Sequence, residues 1–441
     1  MEKYYKIVTY GCQMNIHESE KLAGQLSQRG YVSCDDDNLA DVIVFNTCCV
    51  RENAEQHAYG NIGALKKLKK SKPSLIIAVG GCMTQQKGAG DKLKKTFPFI
   101  DIVFGTFNLS SFGEILDKKL SGKKVGVQVL EKEGKIVEGI KPLRTSFPNA
   151  WINISYGCNN FCSYCIVPYV RGRERSRKME DILNEVKLCI ENGYKEITLL
   201  GQNVNSYGND IDDKDVNFAK LLEKINEIEG DYRIRFMSSH PKDLTEELVM
   251  VIAKCKNVCN YIHLPIQSGS TKILSDMNRK YTREDYLEKV KIIRKYMPDA
   301  TISTDIMVGF PGETEEDFLD TLDICEKVGF SNAFTFVYSI RSGTPAEVME
   351  NQISDDVKKD RIMRLVEFQN NKTRELSKTY IGKTVKILCE DYDKKRECYL
   401  GRDEYGRMGY FKSNCNLIGK FVDIKITSVN GISLYGDIVK N

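Results

Sequence analysis

The 441-residue sequence lacks any apolar run long enough to cross a bilayer as a helix. Its start, Met1-Glu2-Lys3-Tyr4-Tyr5-Lys6, lacks the apolar stretch of a secretory signal. Both absences argue against a membrane protein and lead to the expectation of a cytoplasmic one. A strong charge of either sign is also missing. The 65 Lys and Arg against 61 Asp and Glu leave a net +4, too little to establish a nucleic-acid partner from bulk charge. What is plentiful is cysteine, at fifteen residues. In a reducing compartment these are expected to be metal ligands or small buried hydrophobes rather than disulfides. With 41% hydrophobic and 29% charged residues, the chain reads as a soluble globular protein, and its length calls for two or three domains.

Three cysteines stand together in Tyr156-Gly157-Cys158-Asn159-Asn160-Phe161-Cys162-Ser163-Tyr164-Cys165, spaced Cys-x3-Cys-x2-Cys. Three thiolates this close can bind three irons of a 4Fe-4S cube and leave the fourth iron without a protein ligand. An open metal position belongs to catalysis rather than to structural bracing. The plainer readings are a zinc site short of one ligand or an accidental cluster of thiols. Zinc sites usually show two paired-ligand knuckles instead.

Residues 1–110 read as alternating strands and helices. Apolar strands are expected at 5–10, 41–46 and 74–79, with helical stretches at 16–30 and 51–70 and after the third strand. Such runs suit a parallel sheet buried on both faces. Each strand runs into a cysteine, at Cys12, Cys48 and Cys82. Parallel strands end on one sheet edge, where open α/β folds bind ligands, so these three should converge although they lie more than about thirty residues apart. Glycines beside two of them permit close approach of a bulky group. The reading is a second iron–sulfur site; the bland alternative is three cysteines buried in turns. Either Cys48 or its neighbour Cys49 could be the ligand, and Cys34, in an acidic loop, fits poorly.

Residues 111–150 read as a connector, with a short hairpin inside it. From there to about 340, strand-like runs at 151–155, 196–200, 233–237, 261–265, 301–308 and 334–338 alternate with helical stretches. Six βα units are fewer than the eight of a closed barrel and imply an incomplete (βα)6 barrel, whose chemistry sits at the C-terminal ends of its strands. The polar strand ends Gly201-Gln202-Asn203, Ser238-Ser239-His240, Gln267-Ser268-Gly269 and Gly309-Phe310-Pro311-Gly312-Glu313 would ring that mouth and could hold a polar cosubstrate, although ordinary turns favour the same residues. His240 and His263 are more readily structural than catalytic. A long basic helix is expected over 354–380. The tail, with short alternating strands between glycines, reads as a small β-barrel. From Lys378 onward it carries twelve Lys and Arg against eight Asp and Glu, interleaved with Tyr and Phe, which suits single-stranded or looped RNA. Arg171, Arg173, Arg175 and Arg177 follow the cysteine triad and could grip RNA phosphates or orient carboxylates; a solvated helix start is the alternative.

These residues together resemble a known family over essentially the whole chain. The triad with its aromatic Tyr164 is similar to the signature of radical S-adenosylmethionine enzymes. Tyr10-Gly11-Cys12-Gln13-Met14-Asn15, Asn46-Thr47-Cys48, Arg51-Glu52-Asn53-Ala54-Glu55-Gln56 and Gly81-Cys82-Met83 look like the N-terminal domain of methylthiotransferases. The tail resembles the RNA-binding TRAM domain. The stretches 166–177 and 201–208 resemble the MiaB branch, which acts on N6-dimethylallyladenosine 37 of tRNA. Sister branches act on threonylcarbamoyl-adenosine in tRNA or on ribosomal protein S12, and a non-catalytic iron–sulfur RNA-binding scaffold is the reading from a different class.

The resemblance implies an α/β fold of four segments: an N-terminal methylthiotransferase domain over 1–120, a connector over 121–145, a radical SAM barrel over 146–375 and a TRAM-like RNA-binding domain over 376–441. It implies two 4Fe-4S clusters, one on Cys158, Cys162 and Cys165 and an auxiliary one on Cys12, Cys48 and Cys82, with Cys49 a bystander or redox liability. S-adenosyl-L-methionine would be the cosubstrate, held with help from Tyr164, Gly201 and Gln202. Arg171, Arg173 and Arg175 would face the tRNA anticodon stem-loop. A reducing partner such as flavodoxin or ferredoxin, no membrane and a monomeric state complete the expectation. The chemistry implied is radical removal of hydrogen from C2 of the base, a carbon that acid–base catalysis cannot functionalise, followed by delivery of a methylated sulfur.

Overall fold

A computed structural model describes residues 2–49, 52–132, 134 and 136–439. Arg51, which opens the 51–56 motif, lies outside the described residues, and the side chains of Glu52, Asn53 and Ala54 are not described either. The chain divides into two compact units: Met1–Thr145 with Ser155–Asn159 and Ile166–Arg177, and Ser146–Ile154 with Asn160–Cys165 and Lys178–Asn441.

The first unit is built on a six-stranded parallel sheet. Its strands are β1 (Lys3–Thr9), β2 (Tyr31–Ser33), β3 (Val42–Thr47), β4 (Ile76–Gly81), β5 (Ile102–Phe104) and β6 (Val127–Gln128), in the order β2-β1-β3-β4-β5-β6. Every residue of β3 and β4 is buried, because their alternating side chains enter two different cores. Val42, Val44 and Ala78 pack with Leu22, Leu26 and Phe112 on one face. Ile43, Phe45, Ile77 and Val79 pack with Ile62 and Leu65 on the other. Two covered faces explain why these strands read as continuous apolar runs. The region expected as a connector is partly regular. Phe112–Leu120 is a helix whose apolar residues enter the first core, and Val127 pairs in parallel with Val103. A parallel edge strand therefore stands where a hairpin was expected.

The second unit holds the strands Asn149–Asn153, Glu196–Leu200, Arg233–Phe236, Tyr261–His263, Thr301–Val308 and Asn332–Val337. They form two three-stranded parallel sheets. Ile234 bridges the two sheets: its N–H donates to the Asn257 carbonyl (2.6 Å) and its own carbonyl accepts from Cys259 N–H (2.8 Å). The result is the six-stranded open barrel expected. The helices Phe218–Asn226, Glu246–Lys254, Thr271–Asp276, Arg283–Tyr296 and Glu315–Val328 begin at side-chain caps, with full capping boxes at Thr282/Asp285 and Thr314/Asp317.

The helix Asp355–Lys378 leads into a closed five-stranded barrel, Thr384–Asp393, Cys398–Asp403, Met408–Phe411, Phe421–Asn430 and Ser433–Ile438. The hairpin turn at 402–406 seats against the N-terminal ends of the larger barrel's strands. Arg233 Nη1 donates to the Arg402 carbonyl (2.9 Å), Arg235 Nη2 to the Asp403 carbonyl (2.9 Å) and Thr301 Oγ1 to the Tyr405 carbonyl (2.7 Å). Gly406 lies so close to the Tyr261 ring that a Cβ would stand 2.8 Å from it. Beneath this turn both arginines bond the buried Glu196 carboxylate. Burial opposes that charge, but Arg235 and Arg233 outweigh it and hold the carboxyl well below the usual range.

Asp403 is the opposite case. Burial outweighs its bond from Arg407 N–H (2.7 Å) and the nearby arginines, and its carboxyl is pushed up to about 6. The folded state therefore holds its proton more tightly than the unfolded chain, so stability is lost as pH rises from about 4 through about 6. The loss amounts to roughly 3 kcal/mol at about 1.4 kcal/mol per pH unit. Asp403→Asn should remove this dependence: its urea midpoint should exceed the wild type's at pH 7.5 and approach it near pH 4. An equal gap at both pH values would contradict the assignment.

Candidate active site

The first unit brings its cysteines to one sheet edge. Cys12 follows β1 and caps the helix Gln13–Ser27, Cys48 follows β3, and Cys82 follows β4. Gly11, at φ +107°, presses on Cys48: a Cβ there would meet the Cys48 Cβ at 2.7 Å and its Sγ at 2.9 Å. Gly81, at φ +104°, leaves no room for a Cβ beside the Thr47 carbonyl (2.4 Å). Only glycine fits at either point, so the strand ends can meet.

Arg171 ties this edge together. Its side chain is 5% exposed. Nε donates to Cys82 Sγ (3.2 Å), Nη2 to Asn15 Oδ1 (3.2 Å) and Glu18 Oε2 (3.0 Å), and Nη1 to Glu18 Oε1. Asn15 Oδ1 in turn accepts from Cys12 Sγ (3.6 Å). Cys49 hydrogen-bonds Cys82. That bond, burial and the Cys82 charge raise the Cys49 thiol, whereas the same bond, opposed by burial and aided by Arg171, lowers Cys82 to about 7. Among the described residues no three His, Cys, Asp or Glu side chains are arranged to hold a single metal ion. Three thiols on adjacent strand ends beside one buried cation are the donor set that an iron–sulfur cube needs, so the residues fit that group.

The other three cysteines divide between the units. Cys158 is in the first, where its N–H donates to the Gly172 carbonyl (3.1 Å). Gly157, at φ +78°, leaves the Arg173 carbonyl where a Cβ would be, 2.0 Å away. Cys162 and Cys165 are in the second, joined by a tight turn in which Cys165 N–H donates to the Cys162 carbonyl (2.9 Å). Arg279 had no signal in spacing or periodicity, yet it is buried with Nη1 3.4 Å from Cys162 Sγ and 3.5 Å from the Tyr164 hydroxyl. Its neighbours Asn278 and Lys280 both have positive φ (+59°), a local kink that turns Arg279 inward. Tyr164 packs on the cluster of Phe310 and Tyr338. Gly201 and Gln202 follow the strand Glu196–Leu200, at its C-terminal end.

The arginines after the triad separate into two kinds. Arg171 serves Glu18 and Cys82, and Arg177 is bidentate to Glu138 (2.8 and 2.7 Å). Arg175 is half-buried and donates to the Gly134 carbonyl (2.6 Å), whereas Arg173 is exposed. The expectation that Arg171 faces RNA gives way to its burial, because a phosphate cannot reach it. Arg173→Glu should weaken tRNA binding and lower the slope of log affinity against log salt by about one. A filter-binding series indistinguishable from wild type would remove Arg173 from the RNA contact.

His240 is buried, with Nδ1 accepting from Lys242 N–H (3.2 Å). Burial, then Arg279 and Lys242, push it down to about 2, so it is neutral at physiological pH.

Three family models match: the radical SAM superfamily over residues 152–325, the uncharacterized protein family UPF0004 over 4–105, and the TRAM domain over 378–439. The tRNA-2-methylthio-N(6)-dimethylallyladenosine synthase of Clostridium perfringens is 53% identical over 440 residues, covering 100% of this chain and 98% of the relative. The chain belongs to this synthase family. Synthases from Acetivibrio thermocellus (51% identical, 100% and 92% covered) and Clostridium tetani (54%, 98% and 96%) extend the match. In fold, this member of the synthase family is similar to the radical S-adenosylmethionine methyltransferase TsrM from Kitasatospora setae, with a TM-score of 0.60, 14% identity and 78% and 75% coverage. No described helix is long and apolar enough to cross a membrane.

Proposed function

We infer that the protein is a radical S-adenosylmethionine enzyme that methylthiolates C2 of N6-dimethylallyladenosine 37 in tRNA. The full-length 53% identity to a synthase of that name carries this reading. Cys158, Cys162 and Cys165 hold one 4Fe-4S cluster, and Cys12, Cys48 and Cys82 hold the second. The clusters, when bound, supply the electron that cleaves S-adenosylmethionine and the sulfur that is transferred. The chain's own groups do the rest. Arg279 sets a fixed positive charge against Cys162 and orients Tyr164, and Arg171 does the same for Cys82. Gly201 and Gln202 contribute to the cosubstrate site, Arg173 and Arg175 face the RNA, and the TRAM-like barrel adds basic surface. The enzyme works in the cytoplasm as a monomer, with a flavodoxin- or ferredoxin-type donor, and is organised as segments 1–120, 121–145, 146–375 and 376–441. Mass spectrometry of tRNA nucleosides tests the reading. The 2-methylthio nucleoside should vanish when the gene is deleted, return with the wild-type gene and stay absent with Cys158→Ala. Persistence in the deletion strain, or rescue by Cys158→Ala, would overturn it.

A further inference from the structure

The last three strands of the open barrel present a concave face of their own. Ile302, Ile306 and Val308 enter the core beneath the helices. Ser303, Asp305 and Met307 therefore lie on the opposite, concave face. Parallel register sets Asn332 beside Ser303, Phe334 beside Asp305 and Phe336 beside Met307. His263 lies beside Ser303 from the other side, and its ring meets Phe334 edge-on at 5.9 Å. Phe334 and Phe336 are 44% and 39% exposed, although an apolar ring is normally buried by the core it faces.

Asp305 is held from behind by a chain of three groups. Tyr261 OH lies 2.6 Å from Ser303 Oγ, Ser303 Oγ 2.8 Å from His263 Nδ1, and His263 Nε2 3.6 Å from Asp305 Oδ1. One polarity satisfies the chain: Tyr261 donates to Ser303, Ser303 donates to Nδ1, and the Nε2–H faces the carboxylate. The Asp305 side chain is 28% exposed, so an oriented acceptor opens onto the concave face beside Phe334.

We propose that Asp305, Phe334 and Phe336 recognise the N6 edge of the substrate adenine, with Asp305 accepting the N6–H and the two rings holding the branched alkyl group. The proposal rests on the N6-dimethylallyladenosine reading above. The chemistry is complementary at each point. A secondary amine offers one N–H, and its five-carbon substituent offers only apolar surface. A threonylcarbamoyl group would instead set its own carboxylate against Asp305, an unpaired like-charge contact that rejects it. An unsubstituted amino group would leave both rings uncovered.

Binding of anticodon stem-loop RNAs to the full-length reconstituted enzyme, read by fluorescence anisotropy, tests this. The RNAs differ only at N6 of adenosine 37: unsubstituted, dimethylallyl or threonylcarbamoyl. Wild type should prefer the dimethylallyl RNA over the unsubstituted one by about tenfold or more. Phe334→Ala/Phe336→Ala should cut that preference to about twofold while leaving the affinity for unsubstituted RNA unchanged. Asp305→Asn should admit the threonylcarbamoyl RNA that wild type rejects, a gain that misfolding cannot mimic. Retention of both selectivities by the variants would overturn the proposal, as would a loss of S-adenosylmethionine affinity with RNA preference intact, which would make the rings a cosubstrate contact. A wild type with no preference at all would instead overturn the substrate reading itself.

Discussion

Arg171→Ala is expected to destabilise the reduced, cluster-free protein by about 3–5 kcal/mol, the usual cost of stranding one partner of a buried ion pair. Glu18 is only 5% exposed, so without the guanidinium its carboxylate would remain buried beside the Cys82 thiol. The companion Arg171→Met/Glu18→Met should recover most of this loss, because removing both charges leaves none stranded. Urea unfolding under reducing conditions measures both. A single variant that unfolds at the wild-type midpoint would show that the ion pair is not what holds this edge. The recovered double variant should still lack the charge on Cys82, which separates folding from support of the thiolate.

The second large effect is on iron. Anaerobic reconstitution should load about eight irons per wild-type chain and about four into either triple alanine variant, Cys12/Cys48/Cys82 or Cys158/Cys162/Cys165. The two halves should fail differently. The first triple variant should still cleave S-adenosylmethionine to 5′-deoxyadenosine but form no methylthio nucleoside; the second should do neither. Cys49→Ala should load iron as wild type does. Iron lost from Cys49→Ala but kept by Cys48→Ala would move the ligand by one residue.

Where the sequence was legible, one physical signal dominated locally. β3 and β4 are buried on both faces and show unbroken apolar runs, so their ends, and with them Cys48 and Cys82, could be placed to within one or two residues. Glu196–Leu200 lies where expected for the same reason, and Thr301–Val308 lies where expected with Ile302, Thr304, Ile306 and Val308 buried in alternation. Val127–Gln128 was not legible, because two residues at a sheet edge carry no periodicity. Cys398–Asp403 is hard to read because Gly401 and the charged Arg402-Asp403 end mask alternation; that glycine is required where the Leu388 carbonyl would stand 1.7 Å from a Cβ. The arginines were the hardest to assign. Arg171 and Arg173 are two residues apart with the same charge, yet one is buried against Glu18 and the other is exposed. Their difference depends on Glu18, over 150 residues away, and local pattern does not record such a partner.

The turn at 402–406 has a bearing on how the tail should be dissected. It sits on the strand starts, where Glu196, Arg233 and Arg235 meet, while the barrel's chemistry belongs to the strand ends. Cutting the chain near residue 378 would thus take away a stopper along with the tail, and admit water to two buried guanidinium groups and the carboxylate they share. A truncated enzyme that fails to modify tRNA would not by itself identify the tail as the part that grips RNA. Point changes on the tail's outer face, with the 402–406 turn left whole, are the cleaner dissection.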